Sequence, residues 1–137
     1  MNPEELKQRT KAFALRVVRL CERLPRSRVA DGITKQLFHS GTSVGANYRA
    51  ACRAKSPADF IAKTGIVEEE YDETLYWMGL LIESGLVDDK PVADLLGEAN
   101  EILSIVVASI KTARTRKQSA IRDRQSAIGN PRSALRD

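Results

Sequence analysis

The spacing of apolar residues constrains this sequence more than any other feature, because apolar positions recur every three or four residues in four separate segments. That spacing places apolar side chains on one face of an α-helix and polar ones on the other. In the first segment Leu6, Phe13 and Val17 follow the repeat, whereas Arg16 and Arg19 fall outside it. Aromatic residues make up only 5% of the chain, which is low for a protein built from β-sheets. The pattern therefore predicts an all-α fold.

Capping signals mark where the four segments begin and end. Asn2 and Ser56 are typical N-caps, and each precedes a proline, which suits the first helical position. Pro25 disfavours helical geometry at the residue before it, and Gly85 suits the left-handed conformation that closes many helices. The predicted helices cover residues 3–24, 28–54 and 57–84, with a fourth beginning near residue 91. Because the links are short, neighbouring helices must run antiparallel, which gives an up-and-down four-helix bundle.

The second segment contains a run of small residues, SGTSVGAN, at positions 40–47. Each interior glycine costs a helix about 1 kcal/mol relative to alanine, so a compensating interaction is required. Close packing is the simplest, because a missing side chain lets a neighbouring helix approach. A phosphate-binding loop is the rival interpretation, but the GxxxxGK[ST] pattern and a preceding strand are both absent. We predict that Gly45 is buried against an adjoining helix.

Charge is segregated along the chain, although the formal net charge is only +4. Residues 1–55 carry 12 Lys or Arg against 4 Asp or Glu, residues 56–110 carry 2 against 12, and residues 111–137 carry 8 against 2. Such segregation can tie helices or subunits together, and it can also leave a basic surface for nucleic acid.

The last part of the sequence differs from the rest. KQSAIRD, RQSAIGN and PRSALRD are three tandem seven-residue copies, and they are too poor in apolar residues to build a core. We expect residues 1–116 to form the bundle and residues 117–137 to form a flexible basic tail.

No motif points to catalysis, a metal or a cofactor. His39 is the only histidine and has no recognisable nucleophile to serve, and the acidic run at 68–73 lacks the two Glu-x-x-His motifs of a di-metal bundle. Cys21 and Cys52 lie in apolar helical patterns and are expected to be buried, reduced thiols. The charged N-terminus and the short apolar stretch at 102–110 predict a cytoplasmic protein.

Basic residues on the first two helices and at the start of the third are candidates for binding. Arg49 and Arg53 are one helical turn apart. They can pair with acidic residues of the third helix, in the same subunit or in the next one, or they can contact phosphates with little sequence preference. The candidate nucleic-acid or partner-binding residues are Arg16, Arg19, Arg23, Arg49, Arg53, Lys55 and Lys63.

The fourth segment carries two apolar stripes, which together are wider than the single stripe that packing in a bundle needs. The extra width predicts either an oligomer interface or a helix that is buried more deeply in its own bundle. The candidate interface residues are Trp77, Leu96, Leu103, Val107 and Ile110.

Helices two and three carry a recognisable signature. It comprises the SVGAN run at residues 43–47, the basic residues Arg49 and Arg53, the helix start at 56–60, and the ETLYW run at 73–77. These residues resemble the central signature of the bacterial 23S rRNA intervening-sequence proteins, over roughly residues 5–112. The resemblance implies a four-helix bundle that assembles as a ring, typically a pentamer, without enzyme activity. A related protein is the accessory variability determinant of diversity-generating retroelements, which implies nucleic acid and a reverse transcriptase as candidate partners.

Two hypotheses follow from these observations. The first is an oligomeric scaffold or adaptor that contacts RNA or DNA through its basic residues. The second is a protein-binding accessory subunit, for example of a reverse transcriptase, without direct nucleic-acid contact.

Overall fold

A computed structural model describes residues 1–128, apart from the side chain of Asp89, as four α-helices with no strand among those residues. The helices are α1 (Pro3–Arg23), α2 (Arg28–Cys52), α3 (Pro57–Glu83) and α4 (Asp89–Ile128). α2 packs against α1 and α3, and α4 packs against α3 and α1. Gly45 of α2 faces Thr10 of α1, while Thr34, earlier in α2, lies beside Cys21, later in α1, so the two helices are antiparallel. The predicted up-and-down four-helix bundle is confirmed.

The predicted caps are present at three helix ends. The Asn2 side chain accepts a hydrogen bond from the N–H of Glu5 at 2.8 Å, and the Ser56 hydroxyl accepts one from the N–H of Asp59 at 3.1 Å. Gly85 follows α3 with a φ of 72°, in the left-handed region that glycine adopts without strain. The Asp59 carboxylate in turn accepts the N–H of Lys55 at 3.1 Å. The turn between α2 and α3 is therefore held by reciprocal hydrogen bonds.

Replacing Ser56 by alanine is expected to lower the free energy of unfolding by about 1 kcal/mol, because the N–H of Asp59 loses its acceptor. Ser104 is the matched control, since it occupies an exposed position of α4 and its hydroxyl only donates to the carbonyl of Asn100. Urea unfolding of S56A and S104A measures the difference. An equal loss of stability in both variants would contradict a capping role for Ser56.

The core is an apolar layer to which all four helices contribute. The rings of Phe13 in α1 and Tyr71 in α3 pack with centroids 5.5 Å apart. The buried hydroxyls of Ser40 and Thr74 lie 3.0 Å apart and join α2 to α3. Fully buried aliphatic residues complete the layer, among them Val17, Leu37, Val44, Val67, Met78, Leu81, Ile102 and Val106.

The glycines of the small-residue run lie where α1 crosses α2. A Cβ placed on Gly41 would stand 2.8 Å and 2.9 Å from the two Cγ atoms of Val17, and one placed on Gly45 would stand 3.4 Å from the Thr10 hydroxyl oxygen. Gly32, in the same helix, has no such neighbour within 4 Å. The predicted burial of Gly45 is confirmed, and Gly41 makes the tighter approach.

α4 is longer at both ends than the sequence pattern predicts. It begins at Asp89 rather than near residue 91, and it continues past residue 116 to Ile128. Its last buried residue is Ile110, and beyond it every described side chain except the half-buried Ala113 is exposed. The core therefore ends before the helix does. The division of the chain at residue 116 stays a prediction, and residues 129–137, with the third heptapeptide copy, lie outside the described residues.

Candidate nucleic-acid interface

A cleft between α1 and α2 brings four cationic side chains together. Because the helices are antiparallel, the first half of α1 lies beside the last half of α2, and small residues such as Gly45 and Ala46 leave room between them. The cleft encloses about 440 Å³. The charged residues that line it are Lys7, Lys11, Arg49, Arg53 and Glu4. We call this feature the α1–α2 cleft.

The cations of the α1–α2 cleft are largely unneutralised. Lys7 lies 3.8 Å from the exposed carboxylate of Glu4. Within residues 1–128 no ion pair engages Lys11, Arg49 or Arg53. The alternative predicted for the two arginines, pairing with acidic residues of the third helix, is thus not formed inside the described part of a single chain. The cleft keeps a positive potential that attracts anions.

Lys55 and Lys63 belong to the turn between α2 and α3 rather than to the cleft. The Nζ atom of Lys63 lies 3.0 Å from a carboxylate oxygen of Asp59, which also accepts the backbone N–H of Lys55. The Lys55 N–H and the Lys63 ammonium together hold the pKa of Asp59 below its usual value. Lys63 is therefore engaged within its own helix.

Three candidate arginines lie towards the opposite end of the bundle. Arg16, Arg19 and Arg23 line a second cleft, of about 710 Å³, between α1 and the start of α4. Asp88 and Asp94 line it as well, so its charge is mixed. The structure therefore divides the seven predicted residues among two clefts and one turn.

Arg9 is an ion-pairing residue that lies outside the candidates predicted from sequence. Its Nε atom lies 2.7 Å from one oxygen of Glu98, and its Nη2 atom lies 3.1 Å from the other and 3.0 Å from Glu101. Hydrogen bonding to Glu98 and then Glu101 raises the pKa of Arg9, and the same arginine lowers the pKa of Glu98. This cluster fastens α1 to α4. The opposite net charges of residues 1–55 and 56–110 were its only signal in the sequence.

Of the five predicted interface residues, four lie half-buried on α3 or α4 and one is buried in the core. Trp77 lies half-buried on α3, where its indole N–H points to the carboxylate of Glu73 at 3.4 Å. Leu96, Leu103 and Val107 lie half-buried on α4. Ile110 is only 2% exposed in the single chain, so it offers almost no surface to a partner. An interface at the other four residues stays a prediction.

Burial raises the pKa values of one cysteine and two tyrosines in the bundle. Burial raises the pKa of the Cys21 thiol to about 11, which keeps it protonated and weakly nucleophilic at neutral pH. Burial also raises the pKa values of Tyr48 and Tyr71. His39 is exposed.

Over residues 1–128 no group of three or more His, Cys, Asp or Glu side chains is arranged to hold a metal ion. No helix within those residues is long and apolar enough to cross a bilayer.

The fold and the cleft together define a class of protein, an antiparallel four-helix bundle with a cationic groove between its first two helices. The family described as 23S rRNA-intervening sequence protein matches residues 4–108. The chain belongs to that family, as its signature residues predict.

A solved relative has the same fold. It is a protein of unknown function from Bacteroides thetaiotaomicron, described as a member of the S23 ribosomal protein family, and it is 35% identical in sequence. The similarity covers 81% of this chain and 99% of the relative, with a TM-score of 0.75. None of the curated proteins compared with the chain matches it. Neither the family description nor that of the relative names an enzymatic activity.

Proposed function

We propose that this chain is a non-enzymatic, cytoplasmic, homo-oligomeric scaffold that binds the phosphate backbone of nucleic acid through the α1–α2 cleft. The observation that supports this function is the convergence of Lys7, Lys11, Arg49 and Arg53 on one cleft with a single acidic neighbour, Glu4. Cations arranged in this way bind phosphates by releasing counterions, with little preference for sequence. The description of the family refers to 23S rRNA, which favours RNA as the first ligand to test.

Reversing the charge of two cleft residues tests this function. The R49E/R53E double variant is expected to bind a generic single-stranded RNA about tenfold or more weakly than the wild type at low salt. Losing two phosphate contacts should also reduce the slope of log K against log salt concentration by about 1.4, since each contact to a single strand contributes roughly 0.7. Fluorescence anisotropy titrations at several salt concentrations measure both quantities.

The matched control makes the same change in net charge away from the cleft. Lys35 and Lys90 are exposed and lie outside the lining of the cleft, so K35E/K90E should retain most of the affinity and the slope. An equal loss in both variants would mean that net charge, and not the cleft, determines binding. If the wild type fails to bind RNA or DNA even at about 50 mM salt, where cationic proteins bind most strongly, the nucleic-acid part of the proposal is wrong.

The second candidate function is a protein-binding accessory subunit, for example of a reverse transcriptase, without direct contact to nucleic acid. The observation that favours it is a cleft of about 470 Å³ beside Phe38, a side chain that is 48% exposed. Val18, Cys21 and Pro25 add apolar surface to this cleft. A partner that remains bound after nuclease treatment and at high salt would favour this function over the first, because screening weakens phosphate contacts far more than apolar ones.

A further inference from the structure

Glu70 of α3 leaves one carboxylate oxygen buried without a hydrogen-bond partner. This oxygen, Oε2, has almost no exposed surface, and nothing in the described part of the chain donates to it. Burial, and then the nearby charge of Glu73, raise the pKa of Glu70, whereas His39 of α2 lowers it. A buried carboxylate oxygen that lacks a donor is costly. Because Glu70 as a whole is only half-buried, a cation from outside the chain that binds its carboxylate would offset that cost.

Apolar and polar side chains share the flank of α3 on which Glu70 lies. Ile66, Glu70, Glu73 and Trp77 follow one another at steps of three and four residues, so they share one flank of α3. Ile66 is 43% exposed, and the Trp77 indole contacts Glu73 at 3.4 Å. His39 lies beside this flank on α2. We call these five residues the α2–α3 face. Its composition, an acidic centre with an apolar residue at each end, fits a surface that is apolar and cationic.

The outer face of α1 has that composition. Leu15 is 47% exposed, and Arg19, one turn further along, is also exposed. With about 100° of rotation per residue, both point away from the core positions Thr10, Phe13 and Val17. No residue of the described chain forms an ion pair with Arg19.

We infer that the α2–α3 face of one copy binds the outer face of α1 of a second copy, with Arg19 donating to the carboxylates of Glu70 and Glu73 while Leu15 packs on Ile66. The inference rests on the homo-oligomer of the proposed function and names the surfaces that join its subunits. Contact between two different faces is heterologous, so in a pair one copy keeps its α1 face free and the other keeps its α2–α3 face free, and the assembly closes only as a ring. Contact between two α2–α3 faces would instead place acidic groups against each other.

Charge reversal on each side of this contact tests the inference. E73R and R19E, made separately in the full-length chain, are each expected to weaken self-association by about tenfold or more. Combining E73R with R19E in one chain should restore much of the self-association, because the ion pair forms again with its two charges exchanged. Sedimentation velocity over a concentration series measures the association, and circular dichroism confirms that each variant remains helical.

Asp72 supplies the matched control. It is an exposed acid on the same helix, and its position two residues from Glu70 places it on nearly the opposite side of α3. D72R should therefore assemble like the wild type. Equal weakening by D72R and E73R, or no recovery in the E73R/R19E chain, would overturn the proposed contact. A wild type that stays monomeric at high concentration would overturn the homo-oligomer itself, whereas an RNA-binding result leaves both untouched.

Glu70→Gln provides a readout that a merely structural role would not give. The amide removes the buried charge, so the dissociated subunit should keep or gain thermal stability while self-association weakens by about tenfold. If E70Q lowers the stability of the subunit and leaves association unchanged, Glu70 serves the fold and does not receive Arg19.

Discussion

Gly41→Ala is expected to lower the free energy of unfolding by about 1 kcal/mol, although alanine is the better helix former. The added Cβ would stand 2.8 Å and 2.9 Å from the Cγ atoms of Val17, a residue with no exposed surface. Valine is branched at Cβ and cannot rotate away freely, so α1 and α2 must move apart or strain. Overpacking of this kind costs about 1–3 kcal/mol, and the middle of that range exceeds the gain of about 1 kcal/mol in helix propensity.

Other glycines of the bundle provide the comparison for Gly41. Gly32 lies in the same helix, and a Cβ added there would meet nothing within 4 Å, so Gly32→Ala should raise stability by about 0.5–1 kcal/mol. At Gly45 the nearest atom is 3.4 Å away, at the tight end of ordinary contact, so crowding should offset much of the propensity gain and alanine should be close to neutral. Chemical unfolding of the three single variants, and of V17A/G41A, measures the series. If G41A proves as stable as G32A, or if V17A does not relieve the strain at all, close helix packing is not the reason for glycine at position 41.

Arg9→Met is expected to lower the free energy of unfolding by about 2 kcal/mol at neutral pH. Methionine keeps much of the side-chain volume but removes the hydrogen bonds to Glu98 and Glu101, and bonds to charged groups contribute about 1.5–3 kcal/mol. The half-buried Glu98 would also be left without its cation. Among the described residues, α1 and α4 would then be joined by apolar contacts alone.

The loss of stability caused by R9M should depend on pH, and the pKa of Glu98 determines the direction of that dependence. Arg9 lowers the pKa of Glu98 in the folded state. The stabilisation is therefore present above the pKa of an unfolded glutamate, about 4.3, and it disappears as the pH falls through the lowered folded value. The difference in stability between wild type and R9M should be full at pH 7 and shrink below about pH 4. Thermal melts from pH 2 to pH 8 measure this dependence.

Arg26 provides a control for the effect of pH. Its Nε atom lies 3.1 Å from Asp31, but the side chains are 88% and 48% exposed, and such exposed pairs contribute about 0–1 kcal/mol. R26M should therefore change stability little at any pH. If R9M behaves like R26M, the cluster around Arg9 does not fasten α1 to α4.

Local features of the fold were predictable because they depend on residues close together in the chain. The caps at Asn2, Ser56 and Gly85 lie where the sequence predicts them. The small-residue run also predicts a tight helix contact, which the packing of Gly45 on Thr10 confirms. The extent of α4 was not predictable in the same way, since its exposed residues beyond Ile110 form a helix without an apolar repeat.

Only some residues of the candidate site could be predicted from the sequence. Arg49 and Arg53 stand one turn apart in the sequence, which identifies them as a pair. No local sequence pattern shows that Lys7 and Lys11, some forty residues earlier, line the same cleft. Nor does one show that Arg9, which lies between them, forms ion pairs with Glu98 and Glu101. Cations with identical sequence signals thus have different roles.

The sequence by itself determined the number of helices, their caps, their antiparallel order and the family, because periodicity and short links act within a few turns of chain. Only the tertiary structure decided which charges meet. Pairing depends on the rotation and register of helices separated by tens of residues, and a shift of one residue turns a side chain by about 100°. That register separates Arg9, which is paired with Glu98 and Glu101, from the cations of the α1–α2 cleft. It also leaves Glu70 with an oxygen that no donor in the described chain reaches.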